Sequence, residues 1–153
     1  MTDTLYDRLR AKCDQFGKDF AAGRLSEMTS AFYHPEAVME GRDMPAEQGL
    51  TAIGHIFEEA REVYSSLTIE LEEISQVGDV AFGNFTNRNT IIGGGMDIHR
   101  GLMIWTRTGD DWLVVRDFFF SENSPLLSSI GLHAVGGKGA GIPRASRKKS
   151  AKA

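Results

Sequence analysis

The sequence predicts an α+β fold in which three helices come first and an antiparallel sheet follows. Apolar residues up to about residue 64 recur every three or four positions, which is the period of a helix that buries one face. Beyond that point apolar and polar residues alternate, as they do in a strand with one solvated face. Glycine-containing separators between the later segments are typical of hairpin turns. Helices segregated from antiparallel strands define the α+β class.

Three apolar stripes predict the three helices. The first helix covers residues 4–22 and ends at Gly23, because glycine commonly stops a helix. A short second helix ends before Pro35, since the residue before a proline avoids the helical conformation. A loop with a short strand over residues 36–41 leads to the third helix. The stripes are Leu5, Leu9, Cys13, Phe16 and Phe20; Leu25, Met28 and Phe32; and Leu50, Ile53, Phe57, Ala60 and Tyr64.

Four strands are predicted after the third helix. Leu67, Ile69 and Leu71 alternate with polar residues and mark the first of them. Three longer strands follow over residues 79–92, 96–108 and 112–122, with turns at residues 77–79, 93–95 and 108–111. We expect this antiparallel meander to curl around the helices, with a ligand pocket between the two layers.

The size and charge of the chain limit the function classes. With 153 residues, a net charge of −4 and a single cysteine, it suits one domain without a disulfide framework or a cysteine-rich zinc site. Six of its 17 basic residues and none of its 21 acidic residues lie in 136–153. We expect a globular domain over residues 1–135 and a disordered basic tail over 136–153. The domain itself is acidic and binds phosphate poorly, so nucleic-acid contact is expected from the tail alone.

The sequence shows no sign of export or of membrane insertion. No apolar run reaches the roughly 18–20 residues that a membrane-spanning helix needs. The first residues lack the basic-then-apolar pattern of a signal peptide. We therefore expect a cytoplasmic protein without a membrane partner.

Five segments carry a resemblance to a known family. They are FAAGRL (20–25), AFYHPEAVME (31–40), GLTAI (49–53), RGLMIWTR (100–107) and WLVVRDFFF (112–120). Together they resemble the SnoaL-like superfamily, which includes ketosteroid isomerases, polyketide cyclases, limonene-epoxide hydrolases and the nuclear-transport-factor-two fold. The resemblance extends over about residues 5–124. It implies a cone-shaped α+β barrel with a ligand pocket, no cofactor, and a homodimer.

The residues of ketosteroid isomerases carry over poorly to this chain. Their tyrosine falls on Phe16, and their protonated aspartate falls on residues 102–103, where neither Leu nor Met has a carboxyl. The resemblance therefore implies no steroid-isomerase oxyanion hole. Their aspartate base falls near Gly41, where Glu40 and Asp43 flank the position and could substitute.

The last strand is closest to limonene-epoxide hydrolases, which have Trp-Arg-Asp-Tyr-Phe where this chain has VRDFF (115–119). Asp117 matches the catalytic carboxylate of that family. The arginine and aspartate partners of that family fall in residues 84–87, and its water-holding tyrosine and asparagine fall in residues 39–43. This chain keeps none of those four groups. Polyketide cyclases use a late acidic residue and little else, so the resemblance leaves cyclase chemistry open.

Asp117 is also the strongest catalytic candidate on physical grounds. It lies in a strand with apolar residues on both faces, where burial raises the pKa of a carboxyl and suits it to acid–base work near neutral pH. The alternative is a structural ion pair across the sheet with Arg100 or Arg88. Arg116 is a poor partner, because adjacent strand residues point to opposite faces.

His99 and Glu40 are further catalytic candidates. His99 shares a strand face with Asp97, so the two form either a proton relay in the pocket or a solvated hairpin end beside residues 93–95. Glu40 borders the expected pocket mouth, where it is either a base or a solvated loop acid. No spacing of histidines and acids indicates a metal site.

The expected pocket wall is mainly apolar. The Tyr33 phenol either contacts a ligand carbonyl or only packs, and at most one of Asn84 and Asn87 faces the pocket because they lie three residues apart. Phe118 and Phe120 face away from Asp117, which favours a homodimer through the outer sheet face. The predicted substrate-binding residues are Tyr33, Phe16, Phe57, Met103, Trp105 and Phe119.

The sequence thus predicts a protein that binds a small, apolar, oxygenated molecule without a cofactor. As an enzyme it would use Asp117 to move a proton in an isomerisation, cyclisation, dehydration or hydrolysis. The alternative is a non-catalytic module that binds a hydrophobic ligand or dimerises. A role of the basic tail would be lost on deletion after Val135 while the fold survives.

Overall fold

The computed structural model describes residues 2–42 and 44–121. It confirms the α+β class, since three helices pack on a mixed, mostly antiparallel sheet. The domain boundary expected at residue 135 and the expected tail over 136–153 lie outside the described residues. Within the described part of the chain, no helix is long and apolar enough to cross a membrane.

The three helices form where the apolar stripes predict them. They are α1 (Leu5–Ala22), α2 (Leu25–Phe32) and α3 (Leu50–Val63). Thr4 and Asp7 form a capping box that satisfies backbone N–H groups at the start of α1. Gly23 ends α1 at φ 75°, a left-handed conformation that residues with a side chain rarely adopt.

Seven strands of the described residues form one sheet. They are β1 (Tyr33–Gly41), β2 (Met44–Gln48), β3 (Tyr64–Leu71), β4 (Ser75–Val77), β5 (Val80–Ile91), β6 (Met96–Thr108) and β7 (Asp111–Phe120). Their spatial order is β2-β1-β7-β6-β5-β3, with β4 paired to β5. The β5–β6 and β6–β7 hairpins are antiparallel, as predicted, whereas β1 runs parallel to β7. β2 and β3 are the edges, and the sheet is not closed.

The structure differs from the sequence prediction at three places in the sheet. β2 and β4 are additional strands, and their five and three residues carry too little alternation to be recognised. β1 begins at Tyr33 and includes Pro35; its pairing with β7 shifts register between Tyr33 and Val38, so the missing N–H of the proline interrupts no regular ladder. Tyr64, predicted in the third helix, instead opens β3.

Strand alternation separates an inner from an outer face of the sheet. On β7, Asp117 and Phe119 are buried, whereas Phe118 and Phe120 are each 41% exposed. The inner face packs against the helices, with ring contacts such as those of Phe16 on α1 with Tyr33 on β1 and of Phe32 on α2 with Trp105 on β6. Most of the buried side chains between the sheet and the helices form the hydrophobic core. The candidate site lies near the start of β6 and the end of β7.

Candidate functional site

A small chamber lies between the helices and the inner face of the sheet. Its free volume is about 40 Å³, which admits a few water molecules but is far below the roughly 300 Å³ at which typical ligand sites begin. Helices α1 and α3 and five of the strands contribute to its wall. The polar wall residues are Tyr33, Tyr64, Asn87, Asn89, His99 and Asp117.

Strand register brings the polar residues together. Asn87 lies opposite His99, and Asn89 lies opposite Asp97, in the β5–β6 hairpin. Asp117 lies on β7, which is the other neighbour of β6. Because side chains on one face recur at every second position, this register directs all five toward the helices.

Asp117 is buried, with only 4% of its surface exposed. The Tyr33 hydroxyl donates a hydrogen bond of 2.7 Å to Oδ2, whereas Oδ1 is buried without a hydrogen-bond partner. Burial raises the pKa of Asp117 to about 6, against the opposing effects of the Tyr33 hydrogen bond and of His99. A carboxyl with this pKa takes up and releases a proton readily near neutral pH.

The partner of Asp117 is a phenol and not an arginine, so the expected ion pair across the sheet is wrong. Arg88 contacts Glu70 on β3 at 3.0 Å, and Arg100 lies exposed on the outer face. Burial and the neighbouring charge of Asp117 raise the pKa of the Tyr33 hydroxyl well above its ordinary value. The phenol therefore stays protonated and keeps donating.

Asp97 and His99 form a second polar pair. Nε2 of His99 lies 2.9 Å from Oδ2 of Asp97, which also accepts from the Tyr64 hydroxyl, and Oγ of Ser121 donates to Oδ1 at 2.8 Å. Burial alone would raise the pKa of Asp97, but the hydrogen bonds from His99, Tyr64 and Ser121 outweigh it and lower the pKa. Asp97 is therefore ionised at neutral pH.

This pair is buried, so the interpretation of Asp97 and His99 as a solvated hairpin end is wrong. The two side chains are only 5% and 4% exposed. The Phe119 ring stacks on the imidazole with the ring centroids 5.3 Å apart, which fixes the plane of the imidazole. When the neutral ring donates through Nε2–H to the carboxylate, Nδ1 is left as an acceptor.

Most of the predicted wall residues line the chamber, and two predicted site residues lie elsewhere. Besides Tyr33, the residues in place are Phe16, Phe57, Met103 and Phe119. Trp105 is fully buried away from the chamber, with its ring 5.0 Å from that of Phe32. Glu40 lies opposite Phe118 in the register of β1 and β7, on the outer face, and is not part of the chamber wall. Asp43 lies outside the described residues.

Of the two asparagines expected near the pocket, one lines it, as predicted. Asn87 belongs to the chamber wall and Asn84 is exposed. In the described residues, 2–42 and 44–121, no group of three histidine, cysteine or acidic side chains could hold a metal ion.

The sequence matches the family model of the SnoaL-like domain over residues 14–116. The chain belongs to the SnoaL-like domain family. The match confirms the resemblance at the level of the superfamily, and the closer link to limonene-epoxide hydrolases is not shown. It ends one residue before Asp117, so it assigns no role to that carboxylate. No curated protein gives a significant sequence match.

Solved structures share the fold of this SnoaL-like domain. A ketosteroid isomerase-like protein from Erwinia carotovora atroseptica gives a TM-score of 0.64 at 15% identity, covering 80% of this chain and 100% of the other. A candidate dehydratase of the NTF2-like family from Streptomyces avermitilis gives 0.62 at 14% identity, covering 77% and 96%. A candidate calcium/calmodulin-dependent protein kinase II association domain from Xanthomonas campestris gives 0.61 at 16% identity, covering 80% and 90%. At these identities the likeness shows the fold alone.

Three residues of the SnoaL-like domain's polar network are missing from the sequence prediction. Asn89 could have been found, because it lies two residues after Asn87 and so shares its strand face. Tyr64 is hidden by its place at the end of a helical stripe, although it opens β3. Ser121 follows β7 directly and carries no signal in the sequence that would single it out.

Proposed function

We propose that this SnoaL-like domain catalyses a proton transfer on a small oxygenated molecule, with Asp117 as the acid–base group. The observation that supports the proposal is the asymmetry of the Asp117 carboxyl. Tyr33 holds Oδ2, while Oδ1 is buried and unpaired in a residue that lines the chamber. The raised pKa, about 6, lets the same carboxyl act as a base and then as an acid near neutral pH.

In the proposed reaction, ionised Asp117 removes a proton from a carbon next to a carbonyl group of the ligand. The electron pair of the C–H bond moves to the carbonyl oxygen, and polar groups of the wall stabilise the resulting enolate. Return of the proton from Asp117 to the far carbon of a conjugated dienolate is an isomerisation. Transfer of the same proton to a β-hydroxyl, with cleavage of its C–O bond as the enolate electrons form the C=C bond, releases water and is a dehydration. His99, whose ring is held by the contact of Nε2 with Asp97, is the second group able to move a proton.

The apolar part of the wall fits the same chemistry. Side chains such as Phe57, Met103 and Phe119 exclude water and contact the carbon skeleton of a ligand. Exclusion of water is also what raises the pKa of Asp117. Among the structural neighbours, the ketosteroid isomerase-like protein and the candidate dehydratase carry names of this reaction class.

The test is hydrogen–deuterium exchange of small carbonyl compounds in heavy water, followed by proton NMR. Hydroxyacetone and cyclopentanone serve as probes, because removal and return of an α-proton need no further step. We expect the protein to accelerate exchange of at least one probe and the Asp117→Asn variant to lose the acceleration. Asp110→Asn, which makes the same chemical change at an exposed turn, serves as the matched control. Equal rates with the wild type and Asp117→Asn would contradict the proposal.

We also propose that two copies pair through the outer face of the sheet. Neighbouring strands place Leu102 opposite Phe118 there, and Phe120, Ile98 and Phe82 extend the exposed apolar surface. Apolar side chains gathered on one face of a sheet mark an interaction surface. The association domain among the structural neighbours is named for assembly, which fits the alternative of a dimerisation module.

Light scattering coupled to size exclusion tests the pairing. We expect a dimer for the wild type and a monomer for Phe118→Lys, because a lysine at the centre of the face would be buried without a partner. Glu70→Lys on β3 is the control at an exposed position away from that centre. A wild type that runs as a monomer would contradict this proposal and leave the proton-transfer proposal untouched.

A further inference from the structure

The chamber contains buried oxygen atoms that no group of the described chain pairs with. They are the Oδ1 atoms of Asp117, Asn87 and Asn89, and all three residues line the chamber. Buried polar atoms in proteins are nearly always hydrogen-bonded, so a group of unpaired ones in one cavity calls for an occupant. The remaining unpaired atom, Nε1 of Trp105, belongs to a residue outside the chamber wall.

The three oxygens differ in what they accept. An asparagine amide rotated by 180° exchanges its oxygen for its NH₂ group, so Asn87 and Asn89 pair equally well with a donor or with an acceptor. An ionised carboxylate has no such choice, because it only accepts. Oδ2 of Asp117 is already engaged by Tyr33. Oδ1 of Asp117 therefore sets a fixed requirement for a hydrogen-bond donor on the ligand.

The surroundings favour an uncharged donor over an ammonium group. Among the residues that the structure describes, no lysine or arginine lines the chamber, but the wall around Asp117 includes Met39, Met103 and Phe119, which solvate a cation poorly. Bringing an ammonium ion out of water into such a wall carries a large desolvation cost. A hydroxyl group satisfies Oδ1 at a much smaller cost.

We propose that the chamber binds its small molecule through a hydroxyl group that donates to Oδ1 of Asp117, with the Asn87 and Asn89 amides pairing with a second oxygen of the ligand. This inference rests on the proposed function and narrows its substrate class to alcohols, such as hydroxy carbonyl compounds. A carboxylate oxygen has two acceptor lone pairs, so a hydroxyl on one of them leaves the other for the α-proton. Epoxides, ethers and simple ketones only accept hydrogen bonds, so they leave Oδ1 of the ionised carboxylate unpaired.

The size of the chamber is compatible with this assignment when its methionines move. Met39 on β1 and Met103 on β6 lie opposite Asp117 on the two neighbouring strands, so both border its carboxyl. Methionine has three flexible torsions and no branch, and it adapts its shape more readily than other apolar residues. A ligand that enters beside Asp117 therefore displaces the most adaptable part of the wall.

Three probes with the same carbon ring test the inference. Cyclopentanol donates and accepts, cyclopentanone only accepts, and cyclopentylamine is a cation near neutral pH. Binding is measured at about pH 8, where Asp117 is ionised, from shifts of the side-chain NH₂ signals of Asn87 and Asn89 in nitrogen-15 NMR. We expect cyclopentanol to bind about tenfold more tightly than cyclopentanone, which corresponds to one hydrogen bond.

Variants separate the hydroxyl preference from shape and size. In Asp117→Asn the oxygen still accepts from Tyr33 while an NH₂ group replaces Oδ1, so we expect the preference to vanish or to reverse toward cyclopentanone. Asp110→Asn keeps the wild-type preference. Met39→Ala widens the chamber beside Asp117, so that the three probes can be compared even where the wild-type chamber is too small for their five-membered ring.

Three outcomes would overturn the inference. They are equal binding of alcohol and ketone, tighter binding of the amine, and no binding of any probe to either the wild type or Met39→Ala. The proposed function fails separately, because it is judged by Asp117-dependent exchange of α-protons. A preference for cyclopentanol without such exchange identifies a binding protein, and such exchange without the preference rejects only the alcohol class.

Discussion

At the scale of single residues, Asp117 is balanced between two opposing influences. Burial favours the neutral acid, whereas the hydrogen bond from Tyr33 and the nearby His99 favour the ionised form. The result is a pKa of about 6 for the Asp117 carboxyl, above its ordinary value of 3.8. Asp97 is also buried, but its two oxygens accept hydrogen bonds from Tyr64, His99 and Ser121, and its pKa shifts in the opposite direction. The pKa values of these two buried carboxyls thus shift in opposite directions, because only Asp97 has hydrogen-bond donors on both of its oxygens.

Removing the Tyr33 hydroxyl should move this balance in a known direction. In Tyr33→Phe the carboxylate loses its one donor, so we expect the pKa of Asp117 to rise above about 6. The variant should also lose about 1–3 kcal/mol of stability, since a buried acceptor is left unpaired. Carbon-13 NMR titration of the labelled carboxyl measures the pKa. Tyr6→Phe removes a hydroxyl that donates to the Leu71 carbonyl and should leave the pKa of Asp117 unchanged. A fall in Tyr33→Phe would refute the assignment.

At the scale of elements, the sequence predicts long periodic segments well and short or irregular ones poorly. The apolar stripes of α1 and α3 extend over several helical turns, so their period is evident in the sequence. The alternation in β6 and β7 extends over 13 and 10 residues and is equally evident. β2 and β4 are too short for any period. The parallel pairing of β1 with β7 joins segments far apart in the chain, and local pattern carries no information about it.

The candidate site follows the same division. Strand alternation suffices to place Asp97, His99 and Asp117 on inner faces, because each lies in a long strand. The Tyr33–Asp117 hydrogen bond spans 84 positions and depends on the β1–β7 pairing, so the sequence gives no hint of it. Arginines were the expected partners because charge alone suggests them, yet Arg88 lies on the outer face with Glu70.

A side chain of helix α3 lines the chamber and also a second, more open cavity. Ile56 lines both the chamber and an open groove of about 380 Å³ between α3 and β2, which also involves Met44 and His55. A side chain that walls two cavities is the barrier between them.

Shortening this side chain should therefore admit water to the site. We expect Ile56→Ala to lower the pKa of Asp117 from about 6 toward its ordinary value of 3.8, because burial is the main cause of the shift. Ile53→Ala makes the same change in the same helix at a fully buried position that lines neither cavity. It should lose stability, about 2–5 kcal/mol, with the pKa unchanged. Titration of the Asp117 carboxyl measures the pKa, and urea unfolding measures the stability. Equal changes of the pKa in Ile56→Ala and Ile53→Ala would exclude Ile56 as the barrier between the two cavities.

At the scale of the whole molecule, the buried carboxyl of Asp117, with only one of its oxygens hydrogen-bonded, links the site to the stability of the fold. Asp117 has a pKa of about 6 in the folded protein and an ordinary pKa of 3.8 when exposed. Between these values the folded state holds a proton that the unfolded state has released, so the free energy of unfolding falls as the pH rises through this window. Above it the ionised group costs the fold about 3 kcal/mol, which follows from a shift of about two pKa units.

Asp117→Asn should remove this cost together with the activity. Its amide oxygen still accepts from Tyr33, and its neutral side chain does not ionise, so we expect the variant to gain stability over the wild type as the pH rises from about 4 to about 6. The gain should reach about 3 kcal/mol and then stay constant. Urea unfolding at a series of pH values measures it, with Asp110→Asn as the control whose curve runs parallel to the wild type. Parallel curves for Asp117→Asn would mean that Asp117 is solvated in solution. A gain that rises only within this window would show that the fold tolerates a destabilising carboxyl, as expected of a group kept for its chemistry.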